Sequence, residues 1–202
     1  MAKYSNDFIW TFYNNLLFKK IKKLMLNKVK YPIGKFEFYD THDIDKNKVS
    51  KNIKILDQFH AKLKSELNKI PAKYLSKPYR DGGWSIYKLI HHLADSHMHA
   101  YIRCKYAYIS DKIRIMDYVP DEWANTEDCS FENINYSLII IKGIHKRWVS
   151  FFSKLKNEDF KKHYFYKERD KFYSIYNVLG LYAWHCNHHL KHIENFRKNI
   201  KN

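Results

Sequence analysis

Four histidines fall within two helical turns in Trp184-His185-Cys186-Asn187-His188-His189-Leu190-Lys191-His192. Imidazoles spaced by four residues share a helix face and can grip one metal ion. That spacing occurs twice here, as His185/His189 and as His188/His192, and spacing alone does not choose between the pairs. A second cluster, His91-His92-Leu93-Ala94-Asp95-Ser96-His97-Met98-His99, stands far upstream and can supply a third ligand from another helix. Three imidazoles leave an ion with open positions for water or substrate, which is the arrangement of a catalytic site. His145 and His163 stand alone and read as packed or surface residues.

These residues must be positioned by helices. Ile53, Ile55, Leu56, Phe59, Leu63 and Leu67 recur at three- and four-residue steps between Lys48 and Ile70, ahead of Pro71, and predict a first amphipathic helix. After the breaker-rich turn Lys77 to Gly83, a second helix is expected from Trp84 to near Ser110, with Ser85 as a cap. In it Ile86, Ile90, Leu93, His97, Ala100 and Cys104 track one stripe. Ser85, His92, Ser96, His99 and Arg103 track an adjacent polar one, suited to the rim of a pocket. A third helix is expected from Ser130 to Leu155, with Ile139, Ile140, Ile144, Trp148 and Phe152 buried. A short irregular or strand-like excursion spans His163 to Tyr173, and a fourth helix runs from Ser174 to Arg197. On it Val178, Tyr182, His185, His189, His192 and Phe196 form one continuous stripe whose apolar ends turn its histidines toward the core. Cys186, between the inward histidines, should point elsewhere. The pattern predicts an all-α four-helix bundle with a crossover connection and a short hairpin-like excursion before the last helix.

With 202 residues, 45% of them hydrophobic, the chain suits one compact domain. The formal charge of +16 invites a nucleic-acid reading, but the lysines are spread over every segment and no reading motif is present, so a solvated basic surface is expected. Three cysteines without a CxxC pair, and no secretory cleavage pattern, fit a reducing cytoplasm. No stretch approaches the ~18 apolar residues needed to span a bilayer, so no membrane insertion is expected. Residues 1–30 form an N-terminal extension. Phe8-Ile9-Trp10-Thr11-Phe12-Tyr13 and the following lysines fit an amphipathic surface helix, a poorly anchored extension, or a segment ahead of an alternative start at Met25. The bundle domain is expected over residues 31–202.

The chain resembles the DinB-like superfamily of metal-binding four-helix bundles, and within it the YfiT branch. The resemblance is carried by Pro78-Tyr79-Arg80-Asp81-Gly82-Gly83-Trp84-Ser85, by His91-His92-Leu93-Ala94-Asp95-Ser96-His97-Met98, by Asp121-Glu122-Trp123, by His145-Lys146-Arg147-Trp148 and by Tyr182-Ala183-Trp184-His185 through His189-Leu190-Lys191-His192-Ile193. It extends from residue 31 onward. It implies a metal-dependent hydrolase or a bacillithiol-type thiol transferase, a homodimer, and a metal held by the His before Leu-Ala-Asp and by both histidines of a His-x-x-x-His pair. Those are His92, His185 and His189, which leaves His91, His188 and His192 in supporting roles. The family's His-Pro pair in the excursion is replaced here by Phe165-Tyr166-Lys167-Glu168, so substrate contacts made there differ.

Zinc or nickel suits three imidazoles, and such an ion activates water or a thiol. Asp95, three residues after His92, is placed to orient an imidazole or act as a base, or else is a surface carboxylate. Arg80 and Arg103 match an anionic substrate group, or else form surface ion pairs. Of Trp84, Trp123, Trp148 and Trp184, most are explained by packing. A non-catalytic, stress-associated dimeric metal-binding bundle is the alternative to an enzyme.

Overall fold

The computed structural model describes residues 17–21, 24–110 and 115–200. The chain divides into two compact units, residues 1–35 and 36–202. In the first, residues 17–21 and 24–30 are helical, and the first sixteen residues of the expected N-terminal extension lie outside the described ones.

The second unit is built on four long helices, α1 (Lys46–Leu67), α2 (Ile86–Ile109), α3 (Ile134–Phe152) and α4 (Ile175–Asn199). Side-chain caps set three of their starts. Asp45 accepts from the backbone N–H groups of Asn47 and Lys48 before α1, Ser85 from that of Lys88 in α2, and Ser174 from that of Asn177 in α4. Each satisfies donors that the first helical turn leaves unpaired. Among the described residues no helix is long and apolar enough to cross a membrane.

The dominant packing pairs are α1 with α4, α2 with α3, α1 with α3 and α2 with α4. Around the bundle the order is therefore α1, α3, α2, α4, and the sequential pairs α1/α2 and α3/α4 lie on diagonals. Two connections thus cross an end of the bundle. The second carries an antiparallel hairpin of β1 (His163–Tyr166) and β2 (Lys171–Ser174), registered Tyr164 to Tyr173 and turned through Asp170 in the left-handed region at φ 46°. Tyr164, Tyr166 and Tyr173 turn inward, and β1 packs on α2. Tyr39 reaches α4 from the segment before α1, its backbone N–H donating to Asn177 Oδ1 at 2.6 Å and its carbonyl accepting from Asn177 Nδ2 at 3.1 Å. Its ring lies against Gly180, where any β-carbon would collide with it.

The third helix departs from expectation. Residues 131–133 form a separate 3-10 turn, and the inward stripe is Ser137, Ile141, His145, Trp148 and Phe152, while Ile139 is 65% exposed and Ile140 38%. In Ile139-Ile140-Ile141-Lys142-Gly143-Ile144 apolar content does not single out one face. His145 does, because its ring is buried between α1 and α2 and hydrogen-bonded to both.

Candidate metal centre

His92 stands on α2, two turns from the Ser85 cap, and His185 and His189 stand on consecutive turns of α4. Their ring nitrogens converge. His185 Nε2 lies 3.4 Å from His92 Nε2 and 3.0 Å from His189 Nε2. His92 and His189 are buried and His185 is partly so.

A metal held by imidazole nitrogens at ~2.0–2.1 Å, at a tetrahedral angle, sets neighbouring donors about 3.3 Å apart, close to the spacings found here. The charge state agrees with that fit. Burial, followed by neighbouring imidazoles, holds His185 and His189 well below the ordinary histidine range and takes His92 down to about 3. All three are therefore neutral, as ligands must be. Three convergent nitrogens carry at most a few protons among them, and a cation gives their lone pairs a common partner.

The outer nitrogens of His92 and His185 are held as well, whereas His189 Nδ1 is buried without a hydrogen-bond partner among the described residues. His92 Nδ1 lies 3.0 Å from the Tyr118 hydroxyl, and His185 Nδ1 lies 2.9 Å from His97 Nε2. Partners at the far nitrogen orient a ligand ring and set which nitrogen faces the metal. Trp84 packs on the His92 ring at 4.7 Å and is anchored by donating from its indole N–H to Asp121 Oδ1 at 3.0 Å.

The neighbouring histidines are otherwise engaged. His91 turns toward α3, its Nε2 donating to the Ser130 carbonyl and its Nδ1 accepting from the Ser137 hydroxyl, each at 2.8 Å. His188 lies between the rings of Trp184 and His192, at 4.6 Å from each, and His192 meets Tyr79 at 4.7 Å. Among the described residues one further trio of donors comes together, His97, His145 and Cys186, all buried. Sequence reasoning placed His97 on a core stripe without a partner and set His145 and Cys186 aside. His97 interrupting an otherwise apolar stripe was the available signal.

Asp95 faces the loop after α2, where its charge acts on Tyr118, Cys129 and Asp128 rather than on a ligand ring. Burial, then Asp128, raises its carboxyl to about 6. A carboxyl raised on folding contributes stability in its protonated form, full below the unfolded value of 3.8 and lost as pH climbs through 6. Asp95→Asn is thus expected to stabilise the protein at pH 7.5 by about 1 kcal/mol, after allowance for the part of the shift that water screens, with the gain vanishing below pH 4. Urea unfolding at the two pH values checks this.

Arg103 is buried. Its Nη2 donates to the Met116 carbonyl at 2.7 Å and its guanidinium lies 4.6 Å over the Tyr166 ring, whose hydroxyl donates to Asp117 at 2.6 Å. Arg80 donates to the Asp81 carbonyl and stacks over Tyr79, and its charge reaches His188. The Nε of each arginine is buried without a hydrogen-bond partner among the described residues.

The model of the DinB superfamily matches residues 55–193. The chain belongs to that superfamily. It is 35% identical over 163 residues to the Bacillus subtilis protein named "Putative metal-dependent hydrolase YfiT", covering 81% of this chain and 90% of that one. It is 34% identical over 175 residues to a Bacillus licheniformis protein of the same description, covering 87% and 98%. The solved structure of Bacillus subtilis YfiT, described as "a probable metal-dependent hydrolase with an unusual four-helix bundle topology", superposes with a TM-score of 0.82 at 32% identity over 86% of this chain and 98% of that one. In this chain the sequential pairs α1/α2 and α3/α4 lie on diagonals, where an up-and-down bundle sets sequential helices side by side.

Proposed function

We propose that this DinB-superfamily protein is a metal-dependent enzyme that holds one divalent ion, zinc or nickel, on His92, His185 and His189 and acts as a hydrolase or as a thiol S-transferase. The observation that carries the reading is the convergence of three neutral Nε2 atoms within a few ångströms. When bound, the ion supplies Lewis acidity that lowers the pKa of water or of a low-molecular-weight thiol such as bacillithiol. The naming of the relatives as metal-dependent hydrolases supports the hydrolase arm.

In this reading Tyr118 holds the His92 imidazole in place and His97 that of His185. Arg103 and Arg80, each with an unpartnered Nε, bind an anionic group on a small-molecule substrate. The protein is proposed to work as a homodimer, for which Tyr136, Ile139 and Ile140 leave an apolar stripe of α3 uncovered.

The test is turnover by the metal-loaded full chain, beside a chelator-treated sample, on a panel of simple esters and amides and on an electrophile offered with bacillithiol. Metal-dependent release of acid and alcohol or amine assigns the hydrolase, and metal-dependent loss of free thiol assigns the transferase. Neither, from a chain carrying one ion, overturns the enzyme reading in favour of a non-catalytic metal-binding protein.

A further inference from the structure

Four groups, one from each long helix, form a single line ending at the candidate metal centre. The carbonyl of Leu56 on α1 lies 2.7 Å from His145 Nδ1 on α3. His145 Nε2 lies 2.7 Å from His97 Nδ1 on α2. His97 Nε2 lies 2.9 Å from His185 Nδ1 on α4.

A carbonyl has no proton to give, so His145 Nδ1 is the donor in the first of these bonds. A neutral imidazole carries one N–H, which leaves His145 Nε2 as an acceptor and makes His97 Nδ1 the donor to it. His97 Nε2 is then an acceptor and His185 Nδ1 the donor. His185 therefore turns a lone pair, not a proton, toward His92 and His189. The opposite arrangement would set His145 Nδ1 and the Leu56 oxygen lone pair against lone pair at 2.7 Å, and would put a proton on the nitrogen that faces the metal.

The rings have no room to turn. His97 is 0% exposed and His145 2%. They lie parallel, 11° apart with centroids 4.9 Å from each other, and Phe59 stacks on both at 5.7 and 5.3 Å. Trp148 meets both rings edge-on and Tyr182 meets His97 so.

We infer that His97 and His145 are positioning residues that hand the proton arrangement dictated by the Leu56 carbonyl on to His185, and so prepare its Nε2 to bind metal. This rests on the three-histidine reading of the centre. It gives the buried trio of His97, His145 and Cys186 a role other than a second metal site, since all four ring nitrogens of its two histidines are already committed to hydrogen bonds.

The experiment uses the full chain and zinc, with two readouts. One is the zinc affinity and stoichiometry of the parent, His145→Phe, His97→Leu and His97→Gln, by chelator competition. The other is the long-range 15N–1H spectrum of the imidazoles, which reports which nitrogen of each ring is protonated. His97→Leu is expected to weaken zinc binding 10–100-fold at unchanged stoichiometry, as loss of a ligand's supporting partner does. His145→Phe is expected to weaken it about tenfold without touching a ligand, because His97 is then released to populate both tautomers. His97→Gln, which offers an amide oxygen to His185, is expected to recover most of the loss.

Parent-like affinity in both His97→Leu and His145→Phe overturns the inference. So does a parent spectrum with the proton on His97 Nε2, or a second zinc bound through Cys186. The parent spectrum decides the matter even where a variant fails to fold. A parent that takes up no zinc while showing these protons in place defeats the metal reading and leaves the relay; zinc uptake with the protons elsewhere defeats the relay alone.

Discussion

Replacing any one of His92, His185 and His189 with alanine is expected to reduce zinc affinity by a factor of a few hundred. Structural zinc sites bind with ~10–16 kcal/mol over their donors, which assigns about 3 kcal/mol or more to each ligand. His91→Ala and His188→Ala are expected to stay within about tenfold of the parent. His91 spends both nitrogens on Ser130 and Ser137, and His188 packs between Trp184 and His192. Elemental analysis after gel filtration, with chelator competition for the affinities, checks the set. Full occupancy in His185→Ala, or equal losses in all five variants, would defeat the assignment. This comparison separates specific ligation from a general affinity of a histidine-rich helix for metal.

The metal-free protein is expected to unfold cooperatively between pH 6 and 5. His92, His97, His145, His185 and His189 are all pushed below 6.5 chiefly by burial, His92 to about 3 and His145 to about 4. The sign follows from linkage. Each group is neutral when folded and takes up a proton near 6.5 when unfolded, so its contribution is complete above that pH and is lost as pH falls toward the folded value. One such group costs ~1.4 kcal/mol per pH unit, and five together on the order of 7, against a total domain stability of ~5–15 kcal/mol. Zinc at a hundred times its Kd adds about 2.7 kcal/mol at neutral pH, a gain that fades in acid as protons compete for the same nitrogens. Far-UV circular dichroism across pH, with and without zinc, reads both effects. A native signal retained by the chelated protein at pH 4.5 would show that these imidazoles are not neutral and buried together.

Much of this was legible in residue types and periods. The cap Ser85 and the breakers around Pro71 and Gly82-Gly83 bound α1 and α2 to within a few residues, and the fourth helix was expected from Ser174, where the structure places its cap. The stripe from Val178 to Phe196 turned His185 and His189 inward, because a helix with apolar ends on one face carries whatever lies between them to the core. The face of α3 was not legible, since its isoleucines serve either side equally and the choice rests on His145. Adjacent His91 and His92 were likewise inseparable by spacing. Both are buried, and what sends one to Ser137 and the other to His185 is the arrangement of neighbouring helices.

By itself, then, the sequence determined that four helices form, which stripes three of them bury, and that two of them bring histidines inward. Those outcomes follow from local patterns of capping and polarity. Only the tertiary structure decided that α1 and α2 are diagonal, that His97 and His145 stack in the core, and that the line of rings ends on the Leu56 carbonyl. That last group is a backbone oxygen, identical at every position of the chain, so no residue type marks it. Its proximity to a histidine 89 residues away arises from how the helices cross.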